Sequence, residues 1–120
     1  MNSPKTVEDL NQLILIGAEE NQQLEYKSPQ ALEGEAASKE IGKDVSAMAN
    51  ASGGVIIYGI KEYDQKEKRH LPEKISSLDR VNFSKERLEQ IINSNISPRI
   101  DGLLVIPISI EEPKDRKSVV

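Results

Sequence analysis

The stretch that most restricts the fold runs from residue 35 to residue 60. Its first part, to about Asn50, is rich in alanine, and Ala37, Ile41, Val45, Met48 and Ala49 fall on one face at helical spacing. Asn50-Ala51-Ser52-Gly53-Gly54 then supplies residue types that tolerate positive φ and so end a helix. The following VIIYGI (residues 55–60) is almost unbroken apolar, the pattern of a strand covered on both faces. A long helix that turns through paired glycines into a central strand belongs to an α/β or α+β fold. Gly42 inside the helix costs about 1 kcal/mol relative to alanine, which predicts close packing there. Gly59 inside the strand predicts a bulge or a close backbone approach.

The flanking sequence completes a small domain. Thr6 reads as a helix N-cap with Glu8 and Asp9 in the first turn, and Gly17 as the stop, so a helix is expected over residues 7–16. QQLEYK (residues 22–27) alternates as a strand, and residues 30–35 read as a polar connector. Residues 61–79 are charged and interrupted by Pro72, and are expected to hold loops with at most a short strand. Ser84 caps a third helix over residues 85–93. LLVIPISI (residues 103–110) is a strand that Pro107 places at an edge or bulge. Ser118-Val119-Val120 looks like a strand just begun, so the chain reads as an N-terminal fragment of a longer protein. The expected architecture is a mixed sheet of about four or more strands with three helices packed on it and a truncated last strand.

Composition removes several functions. The chain has 120 residues, no cysteine and one histidine, which excludes disulfide staples, cysteine nucleophiles and multi-histidine zinc sites within one chain. No apolar run reaches the ~18 residues of a membrane span, and MNSPKTVEDL has neither the basic nor the apolar part of a secretory signal, so a cytoplasmic location and no membrane partner are expected. The net charge of −4 argues against a wholly basic surface but leaves room for a local basic face.

Four groups of residues carry possible chemistry. Glu25 and Lys27 are two apart on a strand and project from one face, the E-x-K arrangement with which many nucleases hold a divalent metal and steady a phosphate. Glu20 could add an oxygen ligand, and Glu62 or Asp64 a third acid if the two strands are neighbours. The same pattern also suits a simple charge pair on an exposed strand. Asn50, Gly53 and Gly54 form a turn whose backbone amides could meet a nucleotide's phosphates, although a helix C-terminus points at it and a plain helix-to-strand turn explains it equally well. Gly54 and Gly59 have P-loop spacing, but Ile60-Lys61 follows where Lys-Ser or Lys-Thr is needed, so no Walker site is present. Lys66, Lys68, Arg69 and Lys74, with Lys61 nearby, could contact phosphates, yet Glu62, Asp64, Glu67, Glu73 and Asp79 are interleaved. His70 reads as a surface residue.

These residues resemble a family. Glu20-x4-Glu25-Tyr26-Lys27, then Glu40-Ile41-x-Lys43-Asp44-x-Ser46-Ala47-Met48-Ala49-Asn50-Ala51-x-Gly53-Gly54, then Ile57-Tyr58-Gly59-Ile60-Lys61-Glu62, look like the Schlafen/Alba-like DNA-binding domain, also called a divergent AAA or ATP-binding domain. The resemblance implies an α/β domain that in bacteria stands at the N-terminus of transcriptional regulators. In animal Schlafen proteins related domains cleave RNA with three acids, which by position correspond to Glu20, Glu25 and either Glu62 or Asp64. The expected function is therefore a nucleic-acid-binding module of a regulator, DNA ahead of RNA, with no cofactor. Lys27, Lys43, Lys61, Lys66, Lys68, Arg69 and Lys74 would contact the phosphates. The alternatives are a nuclease needing Mg2+ or Mn2+, with Glu20, Glu25 and Glu62 on the metal and Lys27 beside it, and a nucleotide-binding module at Asn50, Gly53 and Gly54. A homodimer through edge strands is a further expected partner.

Overall fold

The computed structural model describes residues 3–33, 36–50, 53–79, 84–95, 105–106, 108–109 and 117–119. The chain opens with α1 (Val7–Ile16), for which Thr6 and Asp9 make a reciprocal capping box and Gly17 a left-handed C-cap. There follow β1 (Leu24–Lys27), α2 (Ala37–Asn50), β2 (Val55–Tyr58), β3 (Ile60–Glu62), β4 (Pro72–Ile75), β5 (Leu78–Asp79), α3 (Lys85–Asn95), β6 (Ile108–Ser109) and β7 (Lys117–Val119). This is a mixed α+β fold with three α-helices among the described residues.

β1 and β2 pair in parallel, with Glu25 opposite Ile56 and Lys27 opposite Tyr58. β3 and β4 pair antiparallel with an irregularity between Lys61 and Glu62, and β5, β7 and β6 form an antiparallel trio with β7 in the middle. Thus the closing strand is flanked on both sides, and β6, within the run that Pro107 is expected to place at an edge or bulge, is an outer strand of the trio. The apolar run at residues 55–60 is two strands, not one. Gly59, at φ 121°, separates them. Its N–H donates to Lys27 O at 2.8 Å, and its own carbonyl accepts from Ser76 N at 2.7 Å. One residue thereby ends the parallel ladder and begins the antiparallel one.

Side-chain alternation gives the β1–β2 pair two covered faces. On one, Leu24, Tyr26 and Ile57 are buried with Leu10 of α1, Ile60 and Ile108. On the other, Tyr58 is buried with Leu32, Ile41, Leu88, Ile92 and Val105, beneath α2 and α3. Glu25 and Lys27 share that second face. Gly42 is buried, as close packing requires, whereas Ala49 is exposed and does not extend the apolar face of α2.

Three other expectations change. The connector after β1 contains a 3-10 turn, Pro29–Leu32, which buries Leu32. Pro72 opens β4 rather than interrupting a loop; at a strand's first position its missing N–H breaks no ladder bond. Of the strand expected over residues 103–110, the described part in strand form is Ile108–Ser109, while Leu103, Leu104, Pro107 and Ile110 lie outside the described residues. No described helix is long and apolar enough to cross a membrane.

Candidate nucleic-acid interface and acidic clusters

The acids singled out by spacing separate onto two sides of β1. Tyr26 N–H faces away from β2 and donates to Glu20 Oε2 at 2.8 Å, so the turn before the strand covers the strand's own edge. Tyr26 also donates its hydroxyl to Ala18 O at 2.7 Å. The other oxygen, Glu20 Oε1, lies 2.7 Å from His70 Nδ1, and Glu62 Oε2 lies 3.7 Å from the same nitrogen. A carboxylate only accepts, so the imidazole carries its proton on Nδ1. The backbones join as well, since Glu20 N–H donates to His70 O at 2.9 Å.

Glu20, Glu62 and His70 place one donor atom each within 4.8 Å of one another, a set a cation could use. Among themselves these groups act as a latch. Burial raises the Glu20 carboxyl, but hydrogen bonds with His70, Tyr26 N–H and Glu62 outweigh it and hold the group below its ordinary value. Burial, then the hydrogen bond and charge of Glu20, push Glu62 above its ordinary value. The bond to Glu20 raises His70. Burial, helped by the two acids, lifts the Tyr26 phenol to about 12. His70 itself has φ 74°, an uncommon conformation for a residue with a side chain. It is exposed, as expected, yet it joins two acids that sequence spacing could not connect to it.

Glu25 is not part of this set. It pairs with Lys27 at 3.0 Å, and Lys27 Nζ also lies 3.5 Å from Asp44 Oδ2 of α2. Burial alone would lower the Lys27 ammonium, but the two acids more than restore it. Asp44 comes one helical turn after the buried Ile41, which is why it lies on the helix face turned to the sheet. Asp64, the alternative third acid, is exposed and bonds Lys61 at 3.1 Å.

The glycine turn serves the backbone. Gly53 N–H donates to Met48 O and Val55 N–H to Gln23 O, each at 2.9 Å, so these two amides are engaged within the fold. A Cβ at Gly54 would lie 2.5 Å from Gln23 O. Asn50, the last residue of α2, is exposed beside them.

The candidate phosphate contacts also divide. Lys27 is held as above. Lys61 is held by Asp64 and by Glu73, the latter at 2.9 Å. Lys43 is exposed on α2. Lys66, Lys68, Arg69 and Lys74 are exposed around the 3-10 turn Lys66–Lys68 and β4, and none has an acid within 4.0 Å among the described residues. Lys68 Nζ sits 5.1 Å from the centre of the Tyr63 ring, a cation–π contact that orients it.

The family model described as Schlafen, AlbA_2 matches residues 20–120. The chain belongs to the Schlafen, AlbA_2 family. No curated protein and no solved structure matches it. The match takes in both acidic clusters, the glycine turn and the basic loop, leaving α1 ahead of it. Membership in the Schlafen, AlbA_2 family points to a nucleic-acid-related module.

Proposed function

We propose that this chain is a DNA-contacting module, of the kind found in transcriptional regulators, which binds phosphates through the loop between β3 and β4 and does no chemistry on them. One observation carries the reading: folding sorts the interleaved charges of that loop. Asp64 and Glu73 are engaged by Lys61, and Glu62 by the His70 latch. Lys66, Lys68, Arg69 and Lys74 are left facing solvent, and Glu67 among them has no ion pair among the described residues. Lys61 offsets only one of its two acids, so the local sum stays near neutral; what folding changes is placement, leaving four exposed cations with no acid within 4.0 Å among the described residues, which a phosphate backbone feels within a Debye length of ~8–10 Å despite the acidic total.

Binding is tested by fluorescence anisotropy with labelled duplex and single-stranded oligonucleotides at low salt. The chain should bind, duplex DNA ahead of RNA, and Lys66→Ala, Lys68→Ala and Arg69→Ala combined should weaken it. No binding by the unmutated chain would overturn the reading.

A second reading, a metal-dependent nuclease, draws on the approach of Glu20, Glu62 and His70. It loses the expected contribution of Glu25, which faces α2. Cleavage that needs Mg2+ or Mn2+ and disappears with Glu20→Gln would favour it.

A further inference from the structure

The fold uses its aromatic rings unevenly. Tyr26 and Tyr58 are buried, at 1% and 7% exposure, and each belongs to an apolar cluster. Phe83 lies outside the described residues. Tyr63 is partly exposed and belongs to neither cluster, so core packing does not account for its ring. The backbone holds it in place all the same. Its N–H donates to Leu71 O at 3.2 Å, closing the loop just beyond the β3–β4 ladder, and Leu71 N–H donates to Lys68 O at 3.1 Å. The same turn sets Lys68 Nζ over the ring, 5.1 Å from its centre, with Lys66 and Arg69 exposed on the loop. An aromatic ring fixed at its root thus stands among the cations of the loop.

We propose that Tyr63 is a stacking platform for one unpaired base, and that the module therefore selects DNA in which a single-stranded flank adjoins a duplex. The proposal rests on the DNA-contacting reading above and adds to it the form of DNA recognised. A base inside a duplex has both faces covered by its neighbours and must be extruded at a cost before a side chain can stack on it. A base in a flank has a face to offer without that cost. Tyrosine suits the contact, because only two torsions are fixed when it binds. A nucleotide carries its base and its phosphate on one sugar, so the Lys68 ammonium beside the ring meets the phosphate of the base stacked there. Glu67, in the same turn, opposes phosphates but not a neutral base, so the share of the ring is separable from the charge of the loop. One ring takes one base, and such a stack raises affinity by about tenfold.

Fluorescence anisotropy at low salt compares one duplex carrying either of two overhangs, three adenine nucleotides or three abasic ones, which differ in bases and not in phosphates. The unmutated chain should bind the adenine overhang about tenfold more tightly. Tyr63→Leu, a change outside the core clusters, should abolish that difference while leaving the affinity for the abasic overhang and its salt dependence as they were. Tyr63→Trp should keep the difference. A second readout needs no variant: the ring protons of Tyr63 should move upfield as the adenine overhang is added, under the ring current of a stacked base, while those of Tyr26 and Tyr58 stay in place. Equal affinity for the two overhangs, or a preference that survives Tyr63→Leu, would overturn the proposal and leave the DNA-contacting reading standing. No binding to either DNA would remove both.

Discussion

Gly54→Ala isolates the contact on which the helix-to-strand turn depends. Gly54 has φ 149°, and a Cβ there would lie 2.5 Å from Gln23 O, 2.7 Å from its Cα and 2.8 Å from its carbonyl carbon. All three are backbone atoms, so no side chain can swing aside. Gln23 cannot retreat freely either, because its carbonyl accepts Val55 N–H at the start of the β1–β2 ladder. Backbone strain of ~1–3 kcal/mol and the loss of that hydrogen bond, ~1 kcal/mol, together cost about 3 kcal/mol. For a domain of this size that lowers the melting temperature by about 10 °C. Gly53→Ala is the control. Gly53 has φ 85° but nothing within 4 Å of its Cβ position, so only left-handed strain of ~1–2 kcal/mol applies. Thermal unfolding followed by circular dichroism should therefore rank Gly54→Ala clearly below Gly53→Ala. Equal losses would show that the approach to Gln23 does not hold the turn.

The remaining expectations concern the latch and the core. His70 is the one histidine, so its ring protons can be followed without ambiguity. Its titration midpoint should lie above 6.5 and fall back in Glu20→Gln. The raised His70 means the latch stabilises fully below 6.5 and weakens as pH rises through the folded value, while the lowered Glu20 removes it as pH falls below about 4.5; stability attributable to this pair should peak between these limits, measured as the difference between wild type and Glu20→Gln in urea titrations. Tyr26→Phe leaves Ala18 O without its 2.7 Å partner and should cost ~1–2 kcal/mol by denaturant titration. Leu10→Ala, at a position with no exposed surface, should cost ~2–5 kcal/mol in the same assay.

What the sequence revealed was what neighbouring residues decide. Thr6, Asp9 and Gly17 bracket α1, and both its ends stand where those caps place them. The alanine-rich helix, the glycine turn and the strand after it follow from local periodicity in the same way. Gly59 announced an irregularity, but whether it bends one strand or divides two depends on the partners Lys27 and Ser76, which sequence order does not pair. The Pro29–Leu32 turn is too short to show a period. The site separated along the same line. Glu25 beside Lys27 needed only strand alternation. Asp44 joining them, or His70 reaching Glu20 from 50 residues away, required the fold. In order of sequence the loop reads as neutral, whereas in space Lys61 and the latch hold three of its acids and leave four exposed cations with no ion pair among the described residues.

The dependence of DNA affinity on salt probes that sorting of charges most directly. With four cations free of ion pairs among the described residues, three on the loop and Lys74 on β4, log K against log salt should fall with a slope of about −3 to −4, and removing Lys66, Lys68 and Arg69 should leave a slope near about −1. A slope that the triple variant does not change would contradict the account, because the phosphates would then be held elsewhere.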